Sequence, residues 1–107
     1  MRSALFLAAA ILLEITGTTA LKLSDGFTRL IPVIVVLAGY VSSFVMLSQA
    51  LRGIDLSIAY AVWSGVGTAL VATIGILWFG EPAGIWKLAS LALIVIGVAG
   101  LHLAPIG

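Results

Sequence analysis

The chain has 107 residues, of which 63% are hydrophobic and 8% are charged, and its net charge is +1. Soluble domains carry about 25% charged residues, so this composition excludes a surface that faces water. The low charge also argues against a nucleic-acid partner. We therefore expect the lipid bilayer as the solvent, and at roughly 20 residues per helix the length allows about four membrane spans.

Four apolar segments follow one another along the chain, in a single predicted domain over residues 1–107. The predicted spans are 3–21, 30–51, 56–79 and 86–103. Ser24-Asp25-Gly26 is the predicted turn between the first two spans. The spans must be helices, because unpaired backbone groups cannot face hydrocarbon and the segments are too long and too apolar for barrel strands. The fold class is thus an all-α integral membrane protein.

Glu14 is the one charged residue that lies neither in a connection nor at the end of a predicted helix. It falls near the middle of the first span, where an ionised carboxylate costs about 2.5 to 3.5 kcal/mol. Removal from water penalises the charged form, so the group is suited to exchanging a proton for a cation. The alternative is a permanently protonated Glu14 that only donates a hydrogen bond between helices. Glutamine would serve that structural purpose without titrating, which favours exchange.

The residues at helical spacing around Glu14 predict a small, mildly polar face that lines a cavity. They are Leu7, Ala10, Ile11, Gly17 and Thr18. The spans place no Lys, Arg or His near the bilayer centre. We therefore expect a bound organic cation or a proton to neutralise the carboxylate.

Three aromatic residues are the predicted partners of such a cation. Tyr40 lies near the middle of the second span, and Tyr60 and Trp63 share one face of the third. Aromatic faces attract desolvated organic cations by about 2 kcal/mol or more. Aromatic residues at this spacing also occur in ordinary packing, and it is the buried acid that favours cation binding here.

Gly65 and Gly67 lie near the middle of the third span. Glycines at this depth predict either close helix packing or a kink, and packing is the favoured interpretation.

The sequence lacks the residue patterns of an enzyme or a metal site. It has one intramembrane Glu and one distant His, no cysteine, and no glycine loop with a lysine for phosphates. We expect no enzymatic activity and no cofactor, with protons as the coupling ion.

Several motifs are similar to those of a known family. Glu14 is followed by Gly17-Thr18, the first connection reads Gly26-Phe27-Thr28-Arg29-Leu30, and residues 58–67 read IAYAVWSGVG. With four spans in a chain of this length, the sequence resembles the small multidrug resistance family over essentially its whole length.

The resemblance implies a proton-coupled exporter in the bacterial inner membrane that works as an antiparallel homodimer. It implies that two copies of Glu14 share one central site. Ser43 and Ser64 are also predicted to line that site. The fourth helix would mediate dimerisation through a face that includes Ser90 and Gly97. Ser90 stands where the family has a glycine, and serine keeps that face small.

The resemblance also bears on the substrate. Thr16 and Tyr40 resemble the branch that exports quaternary ammonium and aromatic cations, which is the predicted function. Ser43 and Glu81-Pro82 occur in contexts similar to the guanidinium-exporting branch. A guanidinium or polyamine exporter of the same family, or one subunit of a heterodimeric transporter, therefore stays open.

Two remoter alternatives also carry a lone buried acid. A proton-binding rotor subunit of a membrane ATPase would not need aromatic residues around Glu14. A non-transporting membrane scaffold would tolerate Glu14→Gln without loss of function.

The charges of the connections predict insertion in both orientations. With four spans, Arg2 and Arg52 lie on one side of the membrane, and Lys22, Arg29 and Lys87 lie on the other. Two positive residues against three is almost no bias, whereas fixed orientation normally needs an excess on the cytoplasmic side. An antiparallel pair requires such a balance, since it repeats the inverted symmetry that larger transporters build within one chain.

Overall fold

The computed structural model describes residues 2–103, which form four helices. They are α1 (Arg2–Leu23), α2 (Leu30–Ala50), α3 (Leu56–Leu77) and α4 (Ile85–Leu103). Each helix begins and ends within two residues of its predicted span, and the all-helical class is confirmed. Met1 and residues 104–107 of the predicted domain lie outside the described residues.

The outer surface of the helices is strongly apolar. α1, α2 and α3 are each long and apolar enough to cross a membrane, judged by length and composition, and α4 has a shorter apolar stretch, Ile85–Leu101. Leu30 and Trp86 are 73% and 84% exposed. Soluble monomers rarely expose large contiguous apolar patches, so this surface suits contact with lipid. Three of the four predicted spans are thus supported, and the fourth stays a prediction.

The first connection is a tight turn built around Ser24. Its hydroxyl donates to the carbonyl of Leu21 at 2.7 Å and accepts the amide of Phe27 at 3.1 Å. Gly26 has a φ of +71°, in the left-handed region that glycine adopts without a steric cost. The turn lies where the sequence predicts it and brings α2 back alongside α1.

α1 and α2 cross so closely that backbone lies against backbone. A Cβ atom at Gly39 would lie 3.0 Å from the carbonyl oxygen of Leu13 and 3.2 Å from the Cα of Gly17. Further along the same contact, the buried Ser43 hydroxyl donates to the carbonyl of Ala10 at 2.7 Å. Two bare glycines and one buried hydrogen bond therefore join these helices tightly.

α3 packs against both α1 and α4. The largest cluster of buried apolar side chains consists of Leu7, Ile11, Ile15, Ala50 and Ala59. On the other side of α3, the methyl groups of Val98 and Ile94 fill the space that a side chain at Gly65 would need. α3 is a continuous helix through Gly65, and the missing side chain allows α4 to lie close to α3 there.

Candidate functional site

A cavity of about 520 Å³ lies between α1 and α3 and extends to the connection before α4. It is lined by Glu14, Thr18, Tyr60, Trp63, Ser64, Gly67, Thr68, Val71, Ala72, Glu81 and Lys87. We call it the Glu14 cavity. Its wall combines one intramembrane carboxyl group, two aromatic rings and several hydroxyl groups, which suits a cation with an apolar body.

The carboxyl group of Glu14 is partly buried and faces both helices that form the cavity. Its Oε2 accepts a hydrogen bond from the Thr18 hydroxyl at 2.8 Å. Its Oε1 faces Gly67, where a Cβ atom would lie 3.7 Å away, in ordinary contact. Within the described part of the chain, the only ion pair joins Glu81 and Lys87. The carboxyl group thus has a hydroxyl donor and no partner of opposite charge among these residues.

Thr18 connects Glu14 to α2. The Thr18 hydroxyl lies 2.8 Å from the Tyr40 hydroxyl as well as 2.8 Å from Glu14. A hydroxyl has one proton, so when Thr18 donates to an ionised Glu14 the Tyr40 hydroxyl must donate to Thr18. Gly17 makes this contact possible, since a Cβ there would lie 2.7 Å from the Tyr40 ring.

The position of Tyr40 therefore differs from the one expected from the sequence. Its ring lies against Gly17 in the contact between α1 and α2, and Tyr40 is not among the residues that line the Glu14 cavity. The close glycine crossing is the physical reason, because it leaves this ring between the helices. Tyr40 reaches the carboxyl group through Thr18.

Tyr60 and Trp63 do line the cavity. Their ring centroids are 6.2 Å apart with planes inclined at 76°, and Trp63 makes a similar edge contact with Phe44 of α2, at 5.6 Å and 80°. Such edge-to-face pairs hold the indole in one orientation. The buried Nε1 of Trp63 has no hydrogen-bond partner among the described residues. Phe44 was not predicted as a neighbour of Trp63, because helical spacing relates residues of one helix and not residues of two helices.

The other residues expected to line the site fall into two groups. Gly17 and Thr18 lie beside Glu14, and Ser64 and Gly67 line the cavity. By contrast, four residues lie in helix contacts and not on the cavity wall: Leu7, Ala10, Ile11 and Ser43. Leu7, Ala10 and Ile11 lie on the same side of α1 as Glu14, but α2 and α3 cover that part of the helix. Ser43 lies on α2 and faces α1.

Five residues of the cavity wall were not predicted. Thr68, Val71 and Ala72 continue the faces of Ser64 and Gly67 at intervals of four residues, so helical spacing alone could have found them. Glu81 and Lys87 are different. They reach the wall only because the chain turns after α3, and no spacing rule predicts that turn.

Ser90 and Gly97, the expected dimer residues, are both exposed on α4. Nothing lies within 4 Å of a Cβ atom built at Gly97 or Gly100. The structure contains one chain, so the role of this face stays a prediction.

Thr18→Val is expected to weaken cation binding about tenfold. Valine has the shape of threonine without the hydroxyl, and a hydrogen bond to a charged group contributes about 1.5 kcal/mol. Without this donor the carboxyl group that binds the cation loses its hydrogen bond from Thr18. A binding titration at fixed pH measures the cation affinity.

Thr16→Val is the matched control, because the exposed Thr16 hydroxyl bonds only to the carbonyl of Leu12 in its own helix. Thr18→Ser should restore the wild-type curve. Equal curves for Thr18→Val and Thr16→Val would contradict a role for this hydroxyl.

Comparison with known proteins is consistent with this site. The family described as Small Multidrug Resistance protein matches residues 2–94. Multidrug resistance protein EbrB of Bacillus subtilis (strain 168) is 50% identical over 102 residues, which cover 95% of this chain and 87% of that protein. Quaternary ammonium compound-resistance protein QacF of Klebsiella aerogenes is 48% identical over 103 residues, covering 96% and 94%. Guanidinium exporter of Proteus vulgaris is 47% identical over 93 residues, covering 87% and 89%.

The family match covers almost all of the described helices, and the relatives align over nearly their full lengths. The resemblance seen in the motifs around Glu14 and in residues 58–67 is thereby confirmed. This chain belongs to the small multidrug resistance family.

Proposed function

We propose that this protein exports hydrophobic organic cations across the bacterial inner membrane in exchange for protons, which compete with the cation for Glu14. The observation that carries the proposal is the Glu14 carboxyl group in an aromatic cavity, with no ion-pair partner in the described part of the chain. A buried anion needs a positive charge, and a proton or an organic cation supplies it. An efflux function is supported by relatives named for multidrug and quaternary ammonium resistance.

Competition makes the exchange obligatory. Where proton activity is high, Glu14 takes up a proton and releases the cation; where it is low, the proton leaves and a new cation binds. A gradient of one pH unit is worth about 1.36 kcal/mol per proton. If two protons move for one monovalent cation, the membrane potential adds about 2.3 kcal/mol per 100 mV.

We propose that the working unit is an antiparallel homodimer in which two Glu14 residues titrate as a pair. A single chain of four helices is too small to enclose a path for a large cation. The nearly balanced charges of the connections and the uncovered small residues Ser90 and Gly97 on α4 support this arrangement. A heterodimer with a related chain would use the same surfaces, and expression of this chain alone distinguishes the two.

The substrate class follows from the cavity wall. Tyr60 and Trp63 offer aromatic surface to quaternary ammonium and polyaromatic cations. Guanidinium is the second candidate. The hydroxyl groups of Thr18, Ser64 and Thr68 could accept its N–H donors, and one relative is named a guanidinium exporter.

The decisive experiment measures proton release from detergent-solubilised protein when a cation is added in weak buffer. Tetraphenylphosphonium is expected to release protons from the wild type and none from Glu14→Gln, because glutamine has no proton to exchange. Guanidinium, added in the same way, tests the second candidate.

Each result decides between named alternatives. Absence of proton release from the wild type with either cation would overturn the exchange mechanism. Release of protons from Glu14→Gln would mean that another group couples the two ions. A response to guanidinium alone would replace the first substrate class with the second.

A further inference from the structure

Glu81 occupies a defined position at the outer end of the Glu14 cavity. Gly80, with a φ of +67°, lies in the left-handed conformation in the connection after α3, and the amide of Glu81 donates to the carbonyl of Gly75 at 3.0 Å. This turn directs the Glu81 side chain back along α3. Its carboxyl group lines the cavity from the connection before α4.

Gly75 provides the space that the carboxyl group occupies. A Cβ atom at Gly75 would lie 2.6 Å from Cδ of Glu81 and 2.8 Å from its Oε2. Any larger residue would push the carboxyl group away from the helix. The backbone turn and the absence of a side chain at Gly75 together allow this acid to lie against α3.

Lys87 neutralises Glu81 at this position. Its Nζ lies 3.2 Å from Oε1 of Glu81, and the two side chains are 33% and 45% exposed. Lys22 is the other charged group nearby: it lies over the Phe79 ring, with Nζ 5.9 Å from the centroid, and lines an adjoining cavity together with Glu81. We call Glu81 and Lys87 the cavity mouth.

We propose that the Glu81 carboxyl group is a second cation-binding position, which takes up the organic cation at the cavity mouth in place of Lys87 before the cation reaches Glu14. This inference rests on the proposed function, since it names an earlier step at the same cavity. Lys87 is then the resident cation of this position, and the substrate displaces it.

The distance between the two carboxyl groups makes them separate positions. Glu14 lies level with Gly67, and Glu81 lies level with Gly75, eight residues further along α3. At 1.5 Å per residue this is roughly 12 Å along the helix axis. The screening length is about 8 Å at physiological ionic strength, so Glu81 acts on the cation mainly at the mouth.

Exchange at the mouth is easy because the pair is exposed. Ion pairs in contact with water contribute little net stability, so one cation can replace another without a large barrier. Charges at the rim of a site change the association rate and its salt dependence more than they change the final affinity. Substitutions at the cavity mouth should therefore change the association rate of the cation.

The test compares association rates of tetraphenylphosphonium with four variants of the purified protein, followed by the fluorescence of Trp63 and the other tryptophans. At low ionic strength Glu81→Gln should slow association about tenfold, because it removes the acid and leaves Lys87 positive. Lys87→Gln should accelerate it about threefold, because the acid is then free. The differences should vanish in high salt.

The double variant tests whether Glu81 binds the cation directly or only changes the local electrostatic potential. Glu81→Gln with Lys87→Gln is as neutral as the wild-type pair but has no carboxyl group, so it should remain about threefold slower than the wild type. Asp55→Asn removes an exposed acid at the opposite end of α3 and should leave the rate unchanged. Circular dichroism checks that each variant is helical.

The outcomes distinguish this inference from the function on which it rests. If the wild type binds the cation through Glu14 and all four variants match it, the mouth has no role and the exporter function stands. A double variant as fast as the wild type would also overturn the binding position. If the wild type itself fails to bind, the proposed function is wrong.

Discussion

Gly39→Val is expected to destabilise the protein by about 3 kcal/mol and to remove most cation binding. The new side chain would meet the carbonyl oxygen of Leu13 and the backbone of Gly17, and backbone atoms cannot rotate away. α1 and α2 would have to separate. Because Tyr40 reaches Thr18 across this crossing, their 2.8 Å hydrogen bond would break as well.

Ala38→Val is the matched control, since Ala38 neighbours Gly39 on α2 but points outward and is exposed. It adds the same kind of bulk where lipid can accommodate it. Thermal unfolding in detergent and cation affinity should both fall for Gly39→Val and remain unchanged for Ala38→Val. Equal stability of the two variants would show that the crossing does not depend on a bare glycine.

Fixing the orientation of the chain in the membrane is expected to abolish transport. A lysine inserted after Met1, combined with Ser57→Lys and Arg29→Gln, should direct the amino-terminal side to the cytoplasm, because positive residues favour that side. Thr28→Lys with Arg52→Gln should direct it outward. Each variant alone supplies one half of an antiparallel pair, so neither should transport.

Co-expression of the two oppositely biased variants should restore transport, and this rescue distinguishes lost pairing from lost folding. Accessibility of a carboxyl-terminal tag from each side of the membrane measures the orientations, which should be nearly equal in the unmodified chain. A single orientation of the unmodified chain together with full activity would be incompatible with an antiparallel homodimer.

The sequence alone predicted the features that depend on amino-acid composition and on depth in the membrane. Glu14 stands out because a carboxyl group within a long apolar segment is costly wherever the helices pack. The helix bounds follow from the lengths of the apolar runs, and Tyr60 and Trp63 follow from spacing on one helix. Each of these needs only local sequence and the properties of the bilayer.

The remaining features depend on contacts between helices, which spacing does not determine. The crossing at Gly17 leaves the Tyr40 ring between α1 and α2 and off the wall of the Glu14 cavity, and its contact with a cation stays a prediction. From the sequence, Lys87 was assigned only to one side of the membrane, whereas the turn after α3 pairs it with Glu81. The position of each side chain is set by another element, so the three-dimensional structure was needed to find it.

The attachment of α4 has a consequence for how the protein is made. Among the described residues, α4 packs mainly against α3 and supplies a single residue, Lys87, to the Glu14 cavity wall. Chains emerge from the ribosome with the amino terminus first. The aromatic wall and its carboxyl group can therefore assemble before α4 is synthesised, and α4 then adds a face that is uncovered at Gly97.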